Sequence, residues 1–215
     1  MPVKLSSTGG GSVTLTTPST ATDYTATFPA NTGNVVTDSA TQTLTNKTLT
    51  SPTIGGTPVM SASVITSGTA QASTSGTSIS FTGIPSWVKR ITVMFNGVSA
   101  NGTSNLLVQI GSTSFTTSGY LGSSTDGPAL TATLFTSGFG IRTGSAAAVV
   151  HGTVVISIVT GNTWVAAGTL ARSDGAAFIS TAGTITLSGT LDRLRITTVN
   201  GTDAFDAGSI NILYE

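Results

Sequence analysis

From about residue 75 onward, apolar and polar side chains alternate with a period of two. Ile91, Val93 and Phe95 fall on one side of an extended chain, with Thr92, Met94 and Asn96 on the other. Leu106, Val108 and Ile110 repeat the scheme after "NGVSANGTSN", which reads as a turn. The same alternation returns at Val154, Ile156 and Ile158, then at Trp164, Ala166 and Leu170, at Ile185 and Leu187, at Leu194 and Ile196, and at Ile210, Ile212 and Tyr214. Half-buried β-strands have this period, because successive side chains point to opposite faces. Turn-forming runs separate the segments: "TGNT" at 160–163, "SDG" at 173–175, "SGTLD" at 188–192 and "NGTD" at 200–203. Together with Phe81–Ile84 and a weaker piece over Leu134–Ile141, the pattern predicts about eight or nine strands, at the spacing of an antiparallel sandwich. No segment carries a helical period. Only "IPSW" (84–87) and "SAAAVV" read as single turns.

Before residue 75 the pattern dissolves. Short β-prone pieces (Val13–Thr17, Tyr24–Phe28, Val35–Thr37) are interrupted by Pro18, Pro29, Pro52, Pro58 and by glycines, and none is long enough to make a sheet alone. From Thr48 to Val88 there is no ionisable side chain, and 61–80 is almost entirely Ser, Thr, Ala and Gly. The chain therefore divides into an extended attachment and shaft region, 1–75, and a β-sandwich head, 76–215.

Composition sharpens this picture. Charged residues make up 7% of the 215, against roughly 25% in ordinary soluble domains, whereas 43 are threonine and 26 glycine. The formal net charge is zero, so nothing marks a nucleic-acid partner or an anionic membrane surface. With no cysteine, the chain has neither disulfides nor thiolate metal sites. The amino terminus, "MPVKLSSTGGG", lacks the apolar core of a secretory signal, and no apolar run approaches the length of a membrane-spanning helix. Synthesis in a cytoplasm without membrane insertion is the expectation.

Candidate chemistry is sparse. Acid–base hydrolysis draws on paired carboxylates or a histidine with partners, and here seven Asp, one Glu and one His are scattered along the chain. His151 heads the strand "HGTVVISIV" and reads as a structural histidine. Asp203 and Asp206 in "TDAFD" are too few to form an oxygen-ligand metal site and read as turn caps, as do Asp126-Gly127 and Asp174-Gly175. Arg193 and Arg195 alternate onto the outer face of one strand, as solvated charge. Lys89 and Arg90 flank Trp87; a tryptophan of this kind is either a glycan platform or core, and Trp164, sharing a face with Ala166 and Leu170, reads as core. The expectation is no enzyme, no cofactor and no metal.

One stretch remains, "TQTLTNKTLTSPTIGG" (41–56), threonine-rich, with Lys47 its only charge and no aromatic residue. It is too polar to build a core and too weakly charged to resemble an ordinary disordered linker. Its "TQTLTNKTLTSPTI" resembles a motif of tail-fibre and other virion appendage proteins of tailed bacteriophages. "STGGGSVTLTTPSTATDYTATFPANTGNVVT" is similar to the segment that precedes the motif in those proteins. The resemblance covers Ser7–Ile54, and the closing "GSINILYE" is similar to the last strand of such phage β-domains. It implies a virion protein of a tailed phage, made in the host cytoplasm, and carries over no catalytic residue.

Phage fibres are commonly homotrimers. Neighbouring chains in a trimer can pair backbone groups that find no partner within one chain, and β-branched threonine suits that use. The resulting expectation is a homotrimeric all-β protein with an extended N-terminal shaft and an antiparallel, jelly-roll-like sandwich head. Its N-terminal region fastens to other virion proteins of tail, baseplate or capsid, with Leu44, Leu49 and Ile54 as apolar anchors. The head contacts a host surface glycan or protein through the loops "YLGSSTDGP" and "NGTDAFD", with Tyr120, Asp126, Asp203 and Phe205 as contact residues. The alternative is a capsid decoration or head-fibre protein strapped to the shell by its N-terminal region. A fibre depolymerase and a cell-encoded adhesin domain stand behind these.

Overall fold

The computed structural model describes residues 3–6, 8–10, 12–15, 46, 48–53, 55, 65–127 and 131–215. The chain divides into two units, Met1–Pro58 and Val59–Glu215. In the first, β1 (Val3–Ser6) and β2 (Ser12–Leu15) form an antiparallel hairpin in which Val3 stands opposite Leu15. Its turn ends at Gly10, whose φ of 86° favours glycine. Of the expected anchors, Leu44 and Ile54 lie outside the described residues, as does most of the expected shaft. Leu49 is described and is 57% exposed.

The second unit is all-β and antiparallel among the described residues, with no helix. Its strands in chain order are β3 (Thr66–Ser67), β4 (Gln71–Ala72), β5 (Ser78–Thr82), β6 (Arg90–Ala100), β7 (Leu106–Ser112), β8 (Ser114–Phe115), β9 (Leu121–Asp126), β10 (Ala132–Phe135), β11 (Phe139–Ile141), β12 (Val150–Thr160), β13 (Thr163–Arg172), β14 (Ala177–Thr186), β15 (Arg193–Thr198) and β16 (Phe205–Tyr214). One sheet runs β10-β9-β14-β13-β12-β6-β16-β3, with β4 also on β16; the other runs β11-β7-β15-β5, with β8 on β7. The chain crosses repeatedly between the sheets: β5, β7, β11 and β15 belong to the smaller one, and β6, β9, β12 and β16 to the larger.

The inward faces of the two sheets meet in one apolar core, giving a sandwich-like arrangement. Ile79 and Phe81 of β5, Val108 and Ile110 of β7, and Leu194 and Ile196 of β15 enter from one side. Ile91 and Val93 of β6, Val154 and Ile156 of β12, and Ile210 and Ile212 of β16 enter from the other. Each such side chain removed from water contributes about 1.5–3 kcal/mol. Every one of the period-two segments read from the sequence lies in this core.

Three differences from the sequence pattern have physical causes. The head begins earlier than residue 76, because Thr66 and Ser67 pair with Tyr214 and Leu213, and Gln71 and Ala72 pair with Ile210 and Ser209. The stretch "NGVSA" is strand, not turn: β6 continues to Ala100 through a bulge at Gly97 (φ 65°), which meets Gly208 (φ 91°) in a matching irregularity of β16. "LGSSTD" is strand β9 rather than loop, paired with β14 and β10. The two short expected turns are present, closed by Val88 N–H donating to Pro85 C=O at 3.1 Å and Ala148 N–H to Ser145 C=O at 3.2 Å.

Candidate contact surfaces

The polypeptide enters the sandwich at Thr66, beside Tyr214. The opposite end of β16 is Phe205, roughly 30 Å away along ten strand residues. The two ends of the sandwich differ in chemistry.

The far end carries turns laced by side-chain amides and carboxylates. Asn200 Oδ1 accepts from Thr198 Oγ1 (2.9 Å) and from the backbone N–H of Thr202 and Asp203 (both 3.1 Å), an arrangement that Asn readily supplies in turns. Asp203 Oδ2 accepts from the Ser104 N–H at 3.0 Å, and its Oδ1 from Asn200 Nδ2 at 2.6 Å. Asn101 Oδ1 accepts from the Ala204 N–H at 2.9 Å, and Asn105 Oδ1 from the N–H groups of Thr143 (2.9 Å) and Gly144 (3.0 Å). A Cβ at Gly102 would overlap the Asp203 carboxylate, so a larger residue there would displace that carboxylate from its partners.

Beside it, four charges close on one another. Asp126 Oδ1 binds Arg142 Nη1, and its Oδ2 lies 3.4 Å from Arg172 Nη1. Arg172 grips Asp174 through two nitrogens, with Nε to Oδ1 at 3.1 Å, and also donates to the Thr143 carbonyl at 3.2 Å. Asp174 Oδ1 accepts in turn from the Val149 N–H. The hydrogen bond from Arg172 is the main force holding the Asp174 carboxyl down at about 2, and the same bond raises the Arg172 guanidinium. His151 Nδ1 accepts from the Gly97 N–H at 3.2 Å while Nε2 pairs with Ser173 Oγ at 3.0 Å. This is a structural histidine that ties the β6 bulge to the 173–176 turn.

These contacts reassign the expected receptor residues. Tyr120 is fully buried and Phe205 nearly so, both in the core, so neither is an exposed aromatic. Tyr120 precedes a strand rather than opening a loop, and Phe205 starts β16 on its inward side. Asp126 and Asp203 sit at the far end, and their oxygens are committed to Arg142 and Arg172, and to Ser104 and Asn200. The sequence signal for this commitment was present in the Asn and Asp of "NGTSN" and "NGTD", since both residue types bond turn backbone.

The entry end carries an exposed tryptophan. Trp87 is solvent-facing and lies against Tyr214, ring centroids 5.8 Å apart at 47°. Arg90 pairs with Glu215, and the Glu215 carbonyl accepts from the N–H groups of Lys89 (2.7 Å) and Arg90 (2.9 Å). Next to Tyr214 opens a cleft of about 400 Å³ lined by Ser67, Thr69, Gln71, Ser80 and Thr82. Gln71 Nε2 donates to the Ser80 carbonyl at 2.7 Å, capping the free edge of β5. Trp164, as expected, is core. Arg193 and Arg195 lie on the outer face of β15, where Arg195 stacks 4.6 Å over the Phe115 ring and Arg193 pairs with Asp192.

Among the described residues no three His, Asp or Glu side chains group as metal ligands. No helix among them is long and apolar enough to cross a membrane. Comparison with protein-family models, curated proteins and solved structures finds no match to this chain.

Proposed function

We propose that the chain is a structural virion protein of a tailed phage, a homotrimeric fibre. Its N-terminal region fastens to other virion proteins and its sandwich head meets the host surface. The observation that carries this reading is the "TQTLTNKTLTSPTI" segment at 41–54. The head supports it in two ways. Its far-end turns are locked by side-chain hydrogen bonds and ion pairs, as suits a platform presented away from the chain entry. Its strand order reads as a jelly roll, β5-β15-β7-β11 in one sheet and β6 to β10 in the other, with the meander β12-β13-β14 in place of a single strand.

The test is competition. Purified full-length protein should block adsorption of the parent phage to its host without shortening any surface polysaccharide. Weak single contacts suffice for that function, because three copies per fibre raise the effective concentration of each site. Glycan cleavage alongside blocking would overturn the non-enzymatic reading.

One observation favours the second reading, a capsid decoration or head-fibre protein. The aromatics expected at the receptor loops, Tyr120 and Phe205, are buried, and the aromatic exposed at the far end, Phe178, lies on strand β14 beside Ala171 and not on a loop. Under that reading adsorption is not blocked, and particles lacking the protein lose stability.

A further inference from the structure

The pairing register draws an unbroken row of side chains across eight strands, from Ser67 through Thr92, Val155, Ala167 and Ala182 to Leu134. A parallel row runs from Asn211 through Met94 and Thr169 to Ala132. Directly paired residues share a face, and the strand neighbours of these positions, among them Val93, Val154 and Ala166, are core. Both rows therefore lie on the outer face of the larger sheet, and neither contains an ionisable residue.

This face also exposes large apolar side chains: Leu134 is 83% exposed, Phe178 70% and Leu121 69%. Phe178 extends the pattern beside Ala171, and Leu121 beside Thr184. The smaller sheet is opposite in character, with Arg193 and Arg195 on its outer side. The strands of this sheet, two to eleven residues long and about 4.8 Å apart, give the face roughly 1,000 Å² in all. Much of that area is hydroxyl and amide, but Leu121, Leu134, Val165 and Phe178 leave several large apolar side chains in water on one face, as interaction surfaces do. The face as a whole matches the roughly 800 Å² that each partner gives to a stable interface.

We infer that the outer face of the nine-stranded sheet is where copies of this chain pack on one another, with its Val155–Ala182 centre buried in the assembly. This rests on the homotrimer reading and assigns it a surface. The occupant follows from chemistry. An open sheet face offers a small ligand no concavity, and with its ionisable side chains, Arg90 and His151, in the outlying rows its centre neither attracts nor orients a charged partner. Methyl groups of Ala, Val and Thr interspersed with hydroxyls are compatible with a second surface of the same composition, and homo-oligomers reuse their own surfaces.

The absence of native cysteine makes the test clean. In the full chain, Ala182→Cys should react with a maleimide at least about ten-fold more slowly than Thr117→Cys on an exposed loop, the protection expected at a packed interface centre. The two rates should become equal in denaturant. Light scattering on the same samples gives the mass. A mass of three chains with slow labelling at 182 supports the assignment. The same mass with equal rates overturns the assignment and leaves the trimer standing. A folded single-chain mass overturns both.

Discussion

The Tyr120 hydroxyl is bonded twice to one residue, accepting from the Ile110 N–H at 2.8 Å and donating to the Ile110 carbonyl at 3.2 Å. The ring packs edge-on against Phe139, centroids 5.0 Å apart. A side chain read from the sequence as a receptor contact thus serves as a buried clasp on β7. Tyr120→Phe leaves the Ile110 N–H without that acceptor in a dry core, a loss of about 1–3 kcal/mol in chemical denaturation.

Burial raises the Tyr120 hydroxyl to about 12, from an ordinary value of 10.0. The folded state holds the proton more tightly than the unfolded one. The contribution is therefore fully present below pH 10 and is lost as pH rises through about 12. The stability advantage of the native chain over Tyr120→Phe should narrow across that window. An unchanging gap would place the hydroxyl in water.

Asp174 has the opposite sign. Its carboxyl is held at about 2 instead of 3.8, first by the hydrogen bond from Arg172. That contribution is complete above about pH 4 and fades as pH falls through about 2. Asp174→Asn should flatten this acid limb and cost about 0.5–1 kcal/mol at neutral pH, as expected for a largely surface ion pair. Added salt should shrink the difference. An identical acid limb in the variant would remove Asp174 from the acid response.

The core was legible in the sequence because its strands alternate strictly, as in Ile91, Val93 and Phe95. Strand β9 was not, because its pattern is inverted: Leu121 points outward, while Gly122 and Ser124 point inward toward the other sheet, where Ser124 Oγ accepts from the Arg142 N–H. A run of Gly, Ser and Thr with its one leucine on the wet side has the signature of a loop. Tyr120 and Phe205 were misplaced for a related reason. Each adjoins glycine- and aspartate-rich sequence, and proximity to turn residues does not reveal which way an aromatic at the strand end faces. Asp203 lies in a turn and Asp126 is the last residue of β9, and their partners Arg172 and Ser104 lie 46 and 99 residues away. No local pattern encodes such pairs.

The paired bulges of β6 and β16 yield a sharper test. Gly208 has a φ of 91°, and a Cβ there would overlap the Gly97 backbone, which the sheet holds in place. Gly208→Ala should destabilise the chain by about 1–3 kcal/mol through overpacking and a strained backbone. Gly175→Ala, with open space around its Cβ position, should be nearly silent. Equal melting temperatures for the two variants would mean that the bulge relaxes at no cost.

The strap prediction concerns assembly and leaves the head's stability aside. Leu49 is 57% exposed, so it has apolar surface left to bury on assembly. If Leu44, Leu49 and Ile54 anchor the N-terminal region to the particle, replacing all three with Ser removes at most about 1.5–3 kcal/mol of burial per site. Immunoblots of purified particles should then show reduced incorporation, while circular dichroism of the free protein keeps its β-signature, because the core of the head lies beyond residue 75. Normal incorporation of the triple variant would reduce the threonine-rich stretch to a spacer, and the attachment would have to be sought in other residues of the N-terminal region.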